Sequence, residues 1–331
     1  MIDKNNLPEP VESYLDEHQG FVRSVKSGWE AFTKRRMGVI GLVMLVLFVM
    51  MAIFAPIIAP HSPDWTAPEE ADAGTGGDID DLDDLADAEI SHPAGPKFGE
   101  ITDDQYFAPL GTDHQGRDIL TLLLYGSRTA LYIGLAAGLL SSLVGIPLGL
   151  ISGYYGDTWI DEAIQRLIDV MWGVPFLPFV IILIAINGIT TTNIIIAIVL
   201  KSWLMNAIVI RGETLSIKER SFVEAAEISG ASKSRIIFRY IMPNVLPLGF
   251  IYLAQDAAFA ILTHASLAFL GLADLTTISW GLMLYEIRIT GNVFDALWWL
   301  LPPGLLITML AAAFYFIGYS LEDVMNPQTN R

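Results

Sequence analysis

Cysteine is absent from the 331 residues, so no disulfide framework, thiol nucleophile or thiolate metal site can form. The phosphate-cradling spacing GxxxxGK[ST] is missing too: Gly230-Ala231-Ser232-Lys233-Ser234 has the residue types without the spacing. ATP binding or hydrolysis by this chain is therefore not expected. Neither HExxH nor GxSxG occurs, which argues against a surface or intramembrane hydrolase. No internal inverted repeat is legible, which counts against many secondary transporters. Bases are scarce, 19 Lys and Arg against 36 Asp and Glu, and no nucleic-acid partner is expected. A cleavable signal pattern is also lacking: polar and acidic residues fill the first 20 positions, and the first apolar run starts only near Met37.

What the chain has is apolar length. It is 53 % hydrophobic, with several runs near or above the ~20 residues that a bilayer span requires. Six spans are predicted: Met37 to about Pro60, Leu131 to Ile151, Leu167 to Ile186, Asn193 to Ile210, Asn244 to Leu272 and Leu297 to Gly318. Before them, Phe21, Val25, Trp29 and Phe32 recur at helical spacing among Arg23, Lys26 and Lys34. That pattern predicts an amphipathic helix, either on a membrane face or packed on the protein itself. On the six-span arrangement 14 bases fall on the side of the two termini, four fall opposite, and Lys201 lies within a span. The bias predicts cytoplasmic termini.

Acidity is local. Residues 62–108 hold 14 acids and one base, Lys97, a net −13 of the chain's −17. Asp78 and Glu89 have the spacing of the first and twelfth positions of a calcium loop. Leu82 and Asp83, however, stand where a ligand and a glycine are needed, so a solvated surface insert is the better reading. After the insert, Gly111-Thr112-Asp113 and Gly116-Arg117-Asp118 give turn and helix-start signals, and Asp113, Arg117 and Asp118 are expected to form a local ion-pair network.

Arg220 to Pro247 is a polar, basic island between two apolar runs. Ser221 and Glu224 have capping-box spacing, and Gly230 suits the left-handed position that ends a helix. A two-turn rod from Phe222 to Ser229 is expected, roughly 12 Å long. A second helix should start near Ser232, with Pro243 and Pro247 at its entry. A short rod between spans could plug a groove on a soluble partner; the plainer alternative is an ordinary capped loop helix. Within the spans, Lys201, Gln255, Asp256 and His264 are either a polar path lining or interhelical contacts. Gly138, Gly145, Pro147, Gly149, Pro175 and Pro178 point to close packing and kinks.

The island resembles the EAA loop of the membrane subunits of ABC importers, with Glu224, Ala225, Ala226, Gly230 and Pro243 in register, and Tyr240 and Met242 replacing an Ile and a Leu. Leu110-Gly111-Thr112-Asp113 with Gly116-Arg117-Asp118 is similar to the dipeptide/oligopeptide branch of these permeases. So are Ala265 to Leu272 with Ser279-Trp280-Gly281, Trp298-Trp299 with Pro302-Pro303-Gly304, and Gly318 to Pro327. His264 stands where that branch leads one to expect a glutamate. The resemblance implies an all-α integral membrane fold of the type I importer kind, with six transmembrane helices and a cytoplasmic coupling helix, in a multi-pass protein of the cell membrane. Its segments would be a cytoplasmic stretch 1–36, a first span 37–60, an acidic extracytoplasmic insert 61–109, a permease domain 110–318 with a coupling loop 220–243, and a cytoplasmic tail 319–331. It implies an ATPase-coupling set of Phe222, Val223, Glu224, Ala225, Ala226, Gly230 and Pro243, and a candidate path lining of Gln255, Asp256 and His264. The implied partners are a second permease in a heterodimer, two ABC ATPase subunits carrying ATP-Mg, an extracytoplasmic binding protein and the lipid bilayer. No cofactor or metal is expected on this chain. Peptides are the usual cargo; relatives carry nickel or sugars. The alternative of another class is an ion-coupled secondary transporter, with Asp256, His264 and Lys201 as relays.

Overall fold

The computed structural model describes residues 30, 32–67, 93–102 and 105–325. The predicted amphipathic helix, apart from Phe32 and Lys34, and the calcium-loop spacing at Asp78 and Glu89 lie outside them. Helix α1 (Arg36–Ile58) is apolar all round, and its buried residues Gly38, Gly41, Phe48, Ala52 and Ala55 share one face. The margins of the acidic insert hold two short antiparallel strands, β1 (Lys97–Thr102) and β2 (Gln105–Ala108), paired Lys97 to Ala108 and Phe98 to Phe107.

Helix α2 (Ile119–Tyr154) is the axis of the molecule. At 36 residues it is roughly 54 Å long, well beyond the ~30 Å hydrocarbon layer. The expected span from Leu131 is thus the inner part of a longer helix. Asp118 caps it, accepting from the Thr121 amide (2.8 Å) and hydroxyl (2.6 Å). A row of glycines lets other backbones touch α2. A Cβ at Gly149 would lie 2.7 Å from the Ala207 carbonyl oxygen, and one at Gly138 2.8 Å from the Leu253 carbonyl oxygen. In lipid such close approach replaces the hydrophobic drive that joins helices in water.

The expected third span is not one helix. Helix α3 (Trp159–Gly173) and helix α4 (Phe176–Asn187) meet at about 90° around Val174-Pro175. Pro175 disfavours helical backbone at the preceding residue and cannot donate a helical hydrogen bond. The pair nevertheless carries the chain from one end of the bundle to the other. Helix α5 (Thr191–Lys218) starts beside Thr277, with Thr191 Oγ1 3.4 Å from Thr277 Oγ1. It ends where Lys218 donates to the Tyr154 carbonyl (2.8 Å), at the end from which α3 sets out.

Helix α6 (Ser221–Ile228) follows, then helix α7 (Lys233–Phe269), then α8 (Trp280–Ile289) and α9 (Leu297–Met325). Five helices are long and apolar enough to cross a membrane, and the bent pair makes a sixth passage. Arg35 pairs with Asp323 (3.5 Å), so the start of α1 and the end of α9 lie together, as an even number of crossings requires. Hydrophobic clusters fill the bundle along its length. One end packs Ile119, Leu122, Trp280 and Trp299; the middle packs Ile133, Val180, Ile194 and Ile198; the other end packs Leu150, Ile210, Ile217 and Ile241.

Candidate functional site

The short rod α6 is seated by one face. Val223 is 1 % exposed and joins the cluster of Leu150 and Tyr154 from α2, Ile210 and Ile217 from α5, and Ile236, Ile241 and Val245 from α7. Ala226, three residues on, is buried on the same side. Phe222, Glu224, Ala225, Glu227 and Ile228 are exposed, Ile228 at 81 %. The rod therefore turns a mixed apolar and acidic surface outward while Val223 fixes it to three spans. The Glu224 carboxylate has no partner among the described residues.

The rod's start differs from the capping-box expectation. The helix begins one residue earlier, at Ser221, so Arg220 is the N-cap and makes no side-chain cap hydrogen bond. Ser221 is already helical, and neither its hydroxyl nor Glu224 closes a box. The Arg220 carbonyl accepts from the Val223 and Glu224 amides, and a tight turn from Ile217 leads straight into the rod. The stop matches the glycine signal. Gly230 has φ +81°, its amide donates to the Glu227 carbonyl (2.9 Å), and the Ala231 amide reaches the Ala226 carbonyl (3.0 Å).

Ser232 then caps α7, accepting from the Arg235 amide at 3.4 Å. Between Ile236 and Ile241 the helix widens to a π-turn, with the Met242 amide bonded to the Ile237 carbonyl. Pro243 explains it. Its ring would clash with the Arg239 carbonyl in a regular helix, and it has no amide to donate. The Asn244 side chain donates to the Tyr240 carbonyl at 2.7 Å, satisfying an acceptor in the widened turn.

Deeper in the bundle, a cavity of about 550 Å³ lies between the α3–α4 bend, α5 and α7. Gln255 and Asp256 line it, with Lys201 and Ser202. Asn206 donates from Nδ2 to Asp256 Oδ2 (2.7 Å). The Lys201 ammonium donates to the carbonyls of Met171 and of Val174, the latter at 2.7 Å. It thus satisfies acceptors freed where α3 breaks from α4, and it does not pair with Asp256. His264 stands apart from Gln255 and Asp256, buried beside Ala130, Ser279 and Trp280 at a pocket of about 10 Å³. Sequence reading passed over Ser202 and Asn206. The only signal for them is that two polar residues four apart sit in an otherwise apolar run.

At the opposite end from α6, Arg117 joins two elements. Its Nε donates to Asp113 Oδ2 and its Nη2 to Glu286 Oε2, both at 2.6 Å. Asp113 is fully buried and also accepts from the Gln115 and Arg117 amides. The expected local network is thus real for Asp113 and Arg117. Asp118 instead caps α2, and Glu286, 169 residues away from Arg117, takes the third place. Burial pushes the Glu286 carboxyl up, opposed by Arg117. Burial works against the Arg117 charge too, but Asp113 and Glu286 carry its pKa above the ordinary value. Ligand atoms of Asp113, His114 and Glu286 lie within 4.8 Å of one another, yet the guanidinium already supplies the positive charge that these carboxylates need.

A bundle of six apolar passages, with a short rod hung outside it and clamped to three of them, defines a membrane-embedded subunit built to meet a partner at one end. The model of the binding-protein-dependent transport system inner membrane component matches residues 145–331, and that of the N-terminal TM domain of oligopeptide transport permease C matches residues 25–78. The dipeptide transport system permease protein DppC of Alkalihalophilus pseudofirmus is 31 % identical over 99 % of this chain and 96 % of its own length. The oligopeptide transport system permease protein OppC of Escherichia coli K12 is 33 % identical over 99 % of both chains. Among solved structures, an inward-facing form of the MetNI methionine ABC transporter aligns with TM-score 0.51 at 15 % identity, covering 62 % of this chain and 95 % of that one; the likeness is one of fold. The chain belongs to the binding-protein-dependent inner-membrane transport components, in their dipeptide/oligopeptide permease branch.

Proposed function

We propose that this chain forms half of the translocation path of an ATP-driven importer of dipeptides or oligopeptides. A second permease would complete the path, and a binding protein would deliver cargo at the end that carries Arg117 and Glu286. Two ATPase subunits, holding ATP-Mg, would grip α6 from the cytoplasm. The observation that carries this reading is the two-sided seating of α6. Its inner face is locked by Val223 into α2, α5 and α7, while its outer face offers Phe222, Glu224 and Ile228. A groove moving the outer face would pull on the cluster in which Val223 packs, and two of the spans that build it, α5 and α7, wall the cavity. Such a stroke shifts the equilibrium only if the ATPase binds one permease state more tightly than the other.

The ion-relay alternative finds little support, since Lys201 is held by main-chain carbonyls and His264 lies outside the cavity. Peptide is favoured over nickel or sugar because the relatives that match nearly end to end are named for dipeptides and oligopeptides. Glu224→Lys and Gly230→Pro test the coupling role in the assembled transporter. The first reverses charge at an exposed, unpaired side chain. The second puts at φ +81° a residue that cannot adopt it. Both should insert in the membrane and lose ATP-dependent peptide uptake. Normal uptake by either would refute the coupling role of α6.

A further inference from the structure

The cavity between α5 and α7 has a polar wall that nothing among the described residues completes. Asp256 is 8 % exposed, and the one hydrogen bond to its carboxylate comes from Asn206, on Oδ2. Among the described residues no lysine, arginine or histidine pairs with it. Ser202 lines the same cavity, is itself more than nine-tenths buried, and its hydroxyl has no partner. Ser202 and Asn206 are four residues apart and so share a face of α5. Asn206 therefore does two things: it orients the carboxylate and ties it to the Ser202 side of the wall.

An isolated carboxylate taken out of water is costly unless it takes up a proton or a cation meets it. Lys201 lines the same cavity, but its ammonium is turned to the Met171 and Val174 carbonyls and makes no ion pair with Asp256. A partner that suits this wall carries positive charge and donates hydrogen bonds to oxygen. The rest of the lining narrows it further. Trp172, Phe176, Tyr252, Phe259 and Tyr315 also line the cavity; aromatic faces attract an organic ammonium, and the rings tolerate apolar groups attached to it.

We infer that Asp256, held by Asn206 and flanked by Ser202, is a transient subsite for the primary ammonium group of peptide cargo. This rests on the peptide-importer reading above. It resolves a difficulty of that reading: a path open to any side chain can still carry one fixed charge, provided that the charge addresses the amino terminus that free peptides share. A single carboxylate grips weakly enough to release what it binds, as passage requires.

The test uses the complete transporter in proteoliposomes and a hydrophobic carbodiimide, with total modification at Asp256, the N-acylurea plus any amide formed when an added amine displaces the urea, read by peptide mass mapping. Free-amine dialanine should lower the modification rate by about tenfold at saturation, the change expected when one charge-assisted hydrogen bond covers the acid. N-acetyl-dialanine should not lower it. N-acetyl-lysine amide, which carries its ammonium on a side chain, tells whether any primary ammonium serves or only the α-amino group. Asp256→Asn should abolish the label at that position, and Asp256→Glu should retain protection by dialanine. Equal protection by the acetylated peptide, protection by divalent cations instead of dialanine, or no modification of Asp256 at all would each overturn the subsite. If dialanine is taken up while any of these holds, the importer reading survives and only the subsite falls. If no peptide is taken up but another cargo is, the importer reading itself has failed.

Discussion

Val223 and Glu224 are neighbours with opposite jobs, and a helix of two turns is short enough to show how. Val223 points into a cluster built by three spans; Glu224 is exposed, and its carboxylate makes no ion pair or hydrogen bond among the described residues. The same contrast between placement and function appears at Asp161. Its carboxylate accepts from Arg211 Nε (2.7 Å) and Nη2 (2.6 Å) and from the Ser152 hydroxyl (2.5 Å), joining α3, α5 and α2 near the seat of α6. Arg211→Ala leaves this buried acid unpaired and should cost on the order of 3–5 kcal/mol, read as a fall in melting temperature of the purified protein. Asp161→Leu combined with Arg211→Met should recover most of the loss, since no lone charge then remains. A double variant as unstable as the single one would show that packing, and not charge, is what the pair contributes. At this scale the sequence was uneven. Gly230 was legible because a left-handed residue after a helix has few solutions. Ser221 misled because cap residues and first-turn residues share the same composition, and one position of offset removes the hydrogen bond. Glu286 could not be paired with Arg117 by reading, because nothing local links positions 169 apart.

Elements show where hydropathy is blind. The run from Leu167 to Ile186 is apolar apart from Asp169, so a bend of about 90° at Pro175 leaves no mark on its hydropathy, and only the proline itself carries the signal. The π-turn ahead of Pro243 is similar: the proline was visible, the widened turn that accommodates it was not. Glycines in the spans were more readable, because in lipid a small residue has few reasons other than contact. That reason can be tested by contrast. Gly149 on α2 faces the Ala207 carbonyl so closely that a Cβ would sit 2.7 Å away, whereas a Cβ at Gly212 on α5 meets nothing within 4 Å. Gly149→Val should therefore force α2 from α5 and destabilise the protein by at least ~1–3 kcal/mol. Gly212→Ala should stabilise it by up to ~1 kcal/mol through helix propensity alone. Parallel melts of the two variants decide the matter, and similar shifts in both would mean that the α2–α5 contact is not set by glycine.

For the whole molecule, what matters is that packing runs unbroken from one end to the other. From α6 the contacts run through Val223 to α5 and α7, and these same helices present Ser202, Asn206 and Asp256 to the cavity. Beyond the cavity, α7 packs on α8, whose Glu286 holds Arg117 at the foot of α2. A displacement at one end therefore has a continuous packed route to the other, while α1, with most of its surface apolar and outward, has little part in it. Coupling along this route requires α6 and the α8–α9 connection to lie on opposite sides of the membrane. The chain offers a clean way to ask, since it has no native cysteine to confuse a label. Ile228 on α6 is 81 % exposed and Phe294 before α9 is 86 % exposed, so cysteine at either should leave the core intact. In intact right-side-out vesicles an impermeant maleimide should label Phe294→Cys at once and Ile228→Cys only after the membrane is permeabilised. Assembly with the ATPase subunits should then shield Ile228→Cys and leave Phe294→Cys open. Labelling of Ile228→Cys from outside the intact vesicle would place the rod on the wrong side for any cytoplasmic motor, and the coupling route would have no driver.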